Sequence, residues 1–320
     1  MAEEIRATKG TSLWADAWRR LLRNKLAVFG LVVLAVMAVA VVIGPWLIRV
    51  TTGFTYDYIP SDGALLRSFP PSLEHPMGTD ETGRDLLARV LQGGRVSLMV
   101  GIISTIVSLL VGVSYGAIAG YLGGRIDNIM MRIVDIIYSI PYILIVIVLL
   151  SVFGGPSTPG WIQWLSDKIG GAGNQGLSQI FLLFFALGLV SWLTMARVVR
   201  GQILSLKNQE FVMAARATGV STPGIIFRHL VPNALGPVVV YATLTIPSVM
   251  LSEAFLSFLG LGVQPPYASW GSLAADGIKN IGIFPWQLVF PGVTMALTLF
   301  SLNFLGDGLR DAIDPQTRKF

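Results

Sequence analysis

Six long stretches of this chain contain no Asp, Glu, Lys or Arg, and no other feature constrains the fold as much. They run from Leu26 to Ile48, Val96 to Tyr121, Ile136 to Phe153, Leu177 to Ala196, Val231 to Ser252 and Ile281 to Gly306. A hydrocarbon core of about 30 Å is crossed by roughly 20 apolar residues in a helix. Each run can therefore span once, the third as a helix starting from Ile129. The 320 residues are 53% hydrophobic and 13% charged, whereas about 25% of a soluble domain is charged. The fold class is an all-α integral membrane protein with six transmembrane helices. The first run is read as a span and not as a removed leader, because 25 residues precede it and Val41 to Ile43 extend it past the small residues Ala38 and Ala40.

Orientation follows from the basic residues between runs. With the amino terminus inside, 16 of the 23 Lys and Arg fall on the cytoplasmic side, so both termini are expected in the cytoplasm. The net charge of +5 is dispersed among the loops, which gives no footprint for nucleic acid. The chain divides into a tail (1–25), the first span (26–48), an outer segment (49–95), a core (96–306) that includes an inner loop (197–233), and a second tail (307–320). In the first tail Leu13, Trp14, Ala17, Trp18, Leu21 and Leu22 recur at helical spacing, opposite Arg19, Arg20 and Arg23. That pattern predicts a helix lying on the inner membrane surface.

Span two carries small residues at every fourth position: Ser104, Ser108, Gly112, Gly116, Gly120 and then Gly124. Small side chains let helix backbones approach closely in lipid, where the hydrophobic effect no longer drives association. The row fits a seam within the chain or one against a partner subunit. Charges near the bilayer centre cost about 2.5 to 3.5 kcal/mol each and mark ion or proton pathways. Only Arg132, Asp135 and Glu253 come near, all at span ends, where such groups are read as structural. That weakens the case for a proton-coupled carrier and leaves a gated channel open.

The outer segment contains HPMGTDETGRDLLARV, His75 to Val90. Thr79 or Asp80 can cap a helix, and the pairs Asp80 with Arg84 and Asp85 with Arg89 have helical spacing, so a short charged helix is expected. In the inner loop, a helix ending near Thr218 precedes Gly219, then Ser221 and Thr222 ahead of Pro223. A glycine stop followed by a capping residue and proline predicts a second short helix. The helix, turn, helix element can dock into a partner or stand as a simple hairpin. The stretch from Leu259 to Ile283, with Pro265, Pro266, Trp270 and Gly271, is too irregular to span and is expected to fold back at the outer mouth. Zero Cys excludes disulfides and thiolate chemistry. No nucleophile and base constellation or metal-ligand cluster is legible, and no GxxxxGK phosphate loop is present.

Ala214, Ala215, Gly219 and Pro232 have the spacing of the cytoplasmic loop that marks the permease subunits of bacterial ABC importers, and the chain resembles that family. Met213 stands where the family carries Glu, and His229 and Val231 where Ile and Leu are usual. GTDETGRD (Gly78 to Asp85), GGRVSLMVG (Gly93 to Gly101), AGYLGGRID (Ala119 to Asp127), RHLVPN (Arg228 to Asn233), LSFLGLGVQPP (Leu256 to Pro266) and GDGLRDAIDP (Gly306 to Pro315) narrow the likeness. They resemble the oligopeptide and dipeptide branch, its C-type subunits most closely, over nearly all of Thr11 to Pro315.

The resemblance implies a type I importer permease fold in the inner membrane. It also implies a second permease subunit, two ATPase subunits that bind ATP and Mg, and a periplasmic or lipid-anchored peptide-binding protein. This chain would hold no cofactor or metal and would not be catalytic. Ala214, Ala215, Gly219, Val220, Ser221 and Pro232 would couple it to an ATPase, while Gly78, Thr79, Asp80, Gly83, Arg84 and Asp85 form the outer motif. Nickel permeases share the branch, but two distant His residues, His75 and His229, and no Cys suit a soft-metal pathway poorly. An ion-driven carrier or channel acting alone is the alternative from a different class.

Overall fold

A computed structural model describes residues 13–60, 68–153, 159–170 and 175–313. The side chains of Leu13 and Trp14, Arg67 and the segment beyond Ile313 lie outside the described residues. Twelve α-helices form the described chain, with one isolated bridge between Thr79 and Asp85. They are α1 (Leu13–Leu21), α2 (Lys25–Thr52), α3 (Leu86–Leu122), α4 (Gly124–Ser139), α5 (Tyr142–Phe153), α6 (Gly160–Gly170), α7 (Gln175–Leu206), α8 (Glu210–Ala217), α9 (Thr222–Gly224), α10 (Val231–Phe258), α11 (Trp270–Lys279) and α12 (Trp286–Ile313). A π-helical turn, Ile225–Leu230, joins α9 to α10.

Five helices are long and apolar enough to cross a membrane, and α4 and α5, bent by 84° against each other, pass the same test only when taken together as one broken span. The run expected as one span breaks because Pro141 follows Ile140. A residue before proline is pushed out of the α region, and Ile140 is extended at φ −83°, ψ 131°. α3 starts at Leu86, earlier than Val96, because its arginines have partners. Arg89 pairs with Asp80, and Arg95 donates to the carbonyls of Val41 and Val42 on α2. α12 starts at Trp286, later than Ile281, and runs on to Ile313.

The row of small residues on α3 meets α7. A Cβ on Gly116 would lie 2.3 Å from the Ala196 carbonyl oxygen, one on Gly112 2.9 Å from that of Trp192, and one on Gly120 3.0 Å from that of Arg200. Ser104 donates to the Phe184 carbonyl at 2.8 Å, and Ser108 is buried in the same row. The seam lies within the chain, where backbone approaches backbone as small side chains allow. At one end of the bundle, Ala17 and Leu21 of α1 pack with Ala312 and Leu309 of α12, while Trp18 and Leu22 stay exposed. Ile313 approaches Gly236 near the start of α10, so both described chain ends lie at the end of the bundle that carries α8 and α9.

Candidate coupling element and outer cap

The chain leaves α7 at Leu206, and the Lys207 ammonium donates to the Gly120 carbonyl at 3.0 Å, tying the turn to the end of α3. In α8 Val212 and Ala215, three apart, point into a buried cluster with Ala117, Met195, Val199, Ile203, Ile225, Ile226 and Leu230. The opposite face shows Met213, Ala214, Ala217 and Thr218 to the exterior.

Gly219 ends the helix at φ +78°, a conformation that costs an L-residue about 1 to 2 kcal/mol. Its amide donates to the Arg216 carbonyl, and the Val220 amide donates to the Ala215 carbonyl at 3.1 Å. This pair of bonds is a Schellman motif, and it comes with the usual apolar contact: Val220 packs on the cluster that holds Ala215. Nothing lies within 4 Å of a Cβ added at Gly219, so the elbow projects freely.

Ser221 and Pro223 start α9 as their spacing predicts. The second helix starts where expected but is not short, because α9 runs through the π turn into α10. Pro232 has no amide to donate and crowds the carbonyl four residues back. The bond from the Val231 amide to the Ile226 carbonyl, five residues back, opens the helix just ahead of it. Ala214, Gly219 and Ser221 therefore share the exposed elbow, Ala215 and Val220 pack beneath it, and Pro232 sits in the first turn of α10.

At the other end, residues 75–85 form turns and not the expected short helix. The cap of α3 is Asp85, which accepts from the Ala88 amide at 2.7 Å and meets the His75 ring at 2.9 Å. Spending Asp85 in this way removes the expected pair with Arg89, which reaches Asp80 instead. Asp80 also accepts from the Arg84 side chain at 2.8 Å, the Arg84 amide at 2.9 Å and the Thr82 amide at 2.8 Å. Burial alone would raise the Asp80 pKa. The Arg89 and Arg84 guanidiniums, with the Thr82 hydroxyl and Arg84 amide, outweigh burial and hold it below the ordinary aspartate range.

Gly78 (φ +77°) and Gly83 (φ +80°) make the turns, and a Cβ on Gly78 would lie 2.6 Å from the Phe69 carbonyl oxygen. The Thr79 carbonyl accepts from Trp286 and Gln287 at the start of α12. The six residues of the outer motif thus come together as a knot. His75, Arg89 and Gln287 belong to it too, and only the first two lay in the sequence stretch singled out above.

The fold-back from Leu259 to Ile283 contains α11 and plugs this end. Trp270 is fully buried, its indole donating to the Val90 carbonyl at 2.8 Å and its amide to Ser97 at 3.0 Å. Glu253 is buried at the end of α10 and accepts from the Ser257 and Ser269 hydroxyls at 2.6 Å each, which joins α10 to the cap of α11. No group of three or more His, Cys, Asp or Glu able to hold a metal occurs among the described residues.

A bundle of spans with a helical elbow at one end is the architecture of a type I ABC importer permease. An inward-facing structure of the MetNI methionine ABC transporter matches 70% of this chain and 96% of its own at TM-score 0.51 and 19% identity. The particular family follows from sequence. Residues 112–319 match the family described as binding-protein-dependent transport system inner membrane component. Residues 12–71 match that described as N-terminal TM domain of oligopeptide transport permease C. The chain belongs to the first of these families.

Among its relatives, the oligopeptide transport system permease protein OppC of Escherichia coli K12 is 50% identical over 97% of this chain and 93% of its own. The OppC of Bacillus subtilis is 42% identical over 99% and 94%. The dipeptide transport system permease protein DppC of Bacillus subtilis is 43% identical over 95% and 86%. The protein is a multi-pass membrane permease subunit of an ABC importer, a class that works with ATPase and substrate-binding partners.

Proposed function

We propose that this chain is one half of a heterodimeric permease in the bacterial inner membrane, importing oligopeptides into the cytoplasm at the expense of ATP. Both termini and the elbow face the cytoplasm. Two separate ATPase subunits bind ATP and Mg, a periplasmic or lipid-anchored binding protein delivers the peptide, and this chain catalyses nothing. The observation that carries the reading is the near full-length likeness to oligopeptide permeases.

The elbow supports the mechanism. Ala214, Gly219 and Ser221 seat in an ATPase groove, and closure of the nucleotide sites moves them. Ala215 and Val220 pass that movement to α3, α7 and α10, because a close-packed cluster transmits displacement and does not absorb it. Pro232 and the π turn set the direction in which α10 leaves the elbow.

The test is reconstitution of the assembled importer in liposomes. Peptide uptake is expected to require ATP and the binding protein together. Peptide uptake by the isolated chain, driven by an ion gradient alone, would instead support an autonomous carrier.

A further inference from the structure

The flanks of the spans are not alike. Exposed side chains between Leu26 and Leu47 on α2, and between Val289 and Phe300 on α12, are apolar, as lipid demands. The flank where α4, α7 and α10 meet also exposes Ile133 and Ile136, but it carries charge among them. Asp135 and Arg197 pair there at 2.7 Å, with side chains 66% and 37% exposed. The Arg197 guanidinium lies 4.3 Å from the centre of the Tyr138 ring. Tyr241 of α10 lies beside Thr194 of α7 and within electrostatic reach of Tyr138.

Depth and redundancy decide what the pair is for. Val134, next to Asp135, is buried with Trp192, Leu193 and Ala196, and Arg197 follows directly on the apolar run of α7, at the level where Gly116, still inside the apolar run of α3, meets Ala196 and Arg200. Charged groups at that level face water or protein, because lipid does not solvate them. A clamp between α4 and α7 is already provided by Arg200, which grips Asp127 with two bonds of 2.6 and 2.7 Å. The Asp127 side chain is only 8% exposed. Asp135 and Arg197 are the open pair.

We propose that Asp135 and Arg197, braced by Tyr138, form a charge-exchange station on the wall of the translocation pathway for the charged ends of a zwitterionic peptide. The proposal rests on the peptide-importer reading. A terminal carboxylate replaces Asp135 on the planar Arg197 fork, which matches carboxylate geometry. The freed Asp135 accepts a terminal ammonium. Water solvates the freed Asp135, whose side chain is 66% exposed, until the ammonium reaches it, and stacking on Tyr138 holds the guanidinium in place as its partner changes.

The test uses the full importer with its partner permease, ATPases and binding protein in liposomes. A zwitterionic tetrapeptide and its C-terminally amidated form are each supplied on saturated binding protein. For Arg197→Gln, uptake of the zwitterion is expected to fall about ten-fold, the scale of one lost charged hydrogen bond. Uptake of the amide is expected to fall less than about two-fold. Equal losses for both peptides, or none for either, overturn the station while leaving the importer reading intact. Failure of the unmodified importer to take up either peptide overturns the importer reading, and the station with it.

An independent arm uses the natural absence of Cys. Ser139→Cys, at the exposed end of α4, is expected to react with a cationic, membrane-impermeant thiol reagent in the assembled importer, and Val36→Cys on α2 is not. Ser139→Cys as unreactive as Val36→Cys contradicts a water-filled wall.

Discussion

The two ends of the molecule are built on opposite principles. The outer cap turns its charges inward: Asp80, Arg89 and Asp85 are buried, Asp80 held by Arg84 and Arg89 and Asp85 by His75 and the first turn of α3. The elbow turns its charges out and rests on a bed of apolar side chains, with the Lys207 ammonium on the Gly120 carbonyl as a polar tie at its base. Its most projecting residue, Gly219, touches nothing that a side chain would meet. A buried ionic knot resists rearrangement, because opening it leaves uncompensated charge. An apolar bed under a bare elbow leaves the elbow's own surface uncovered, as the proposed docking requires.

The contrast is broken most easily at Arg89. Arg89→Ala leaves the Asp80 carboxylate buried with one guanidinium fewer, and a loss of about 3 kcal/mol is expected, read as a lower unfolding temperature of the purified protein. A loss below about 1 kcal/mol would mean that the cap is not held by this pair. Acid tests the same bond by another route. The folded pKa of Asp80 is depressed, so its contribution is fully present above the ordinary aspartate value of about 4. It is lost as pH falls through the lower folded value. Thermal stability followed from pH 7 downward is therefore expected to show no Asp80-dependent change until below about pH 4, and Asp80→Asn to abolish that acid limb.

At the elbow, Gly219→Ala is expected to cost about 1 to 2 kcal/mol through its positive φ, with no steric clash. Gly219→Trp is expected to cost a similar amount of stability yet to uncouple ATP hydrolysis from transport. Normal coupling in the Trp variant would remove the elbow from the mechanism. The smallest effect belongs to Arg216, which lies 5.2 Å from the Tyr121 ring centre at the exposed surface. Arg216→Ala is expected to shift stability by about 0.5 kcal/mol, and a loss rivalling that of Arg89→Ala would erase the distinction between the two ends.

What could be read from sequence alone follows the same division. The spans were legible because lipid imposes one simple rule, and the elbow because its stop is local: a helix, Gly219, then Ser221 ahead of Pro223. The cap was not. Spacing favoured Asp85 with Arg89, but Asp85 caps α3 and meets His75, and that choice depends on how the chain folds back from Phe69. Ile140 before Pro141 was a visible breaker in an otherwise apolar run, and it bends the third span. Ala214 and Ala215 looked equivalent as a motif, yet one faces out and the other in, which only the phase of α8 decides. Trp270 gave no hint of its partner Val90, which lies 180 residues away in the chain.

The most direct measurement places single cysteines at Ala214 and Ser221, both exposed, in the otherwise cysteine-free chain. Cross-linking to the ATPase subunits is followed in the assembled importer, with and without trapped nucleotide. Both positions are predicted to cross-link, with yields that change between nucleotide states, while a cysteine at Thr82 in the outer cap does not. Cross-links to the ATPases from Thr82, with none from Ala214 or Ser221, would contradict the account.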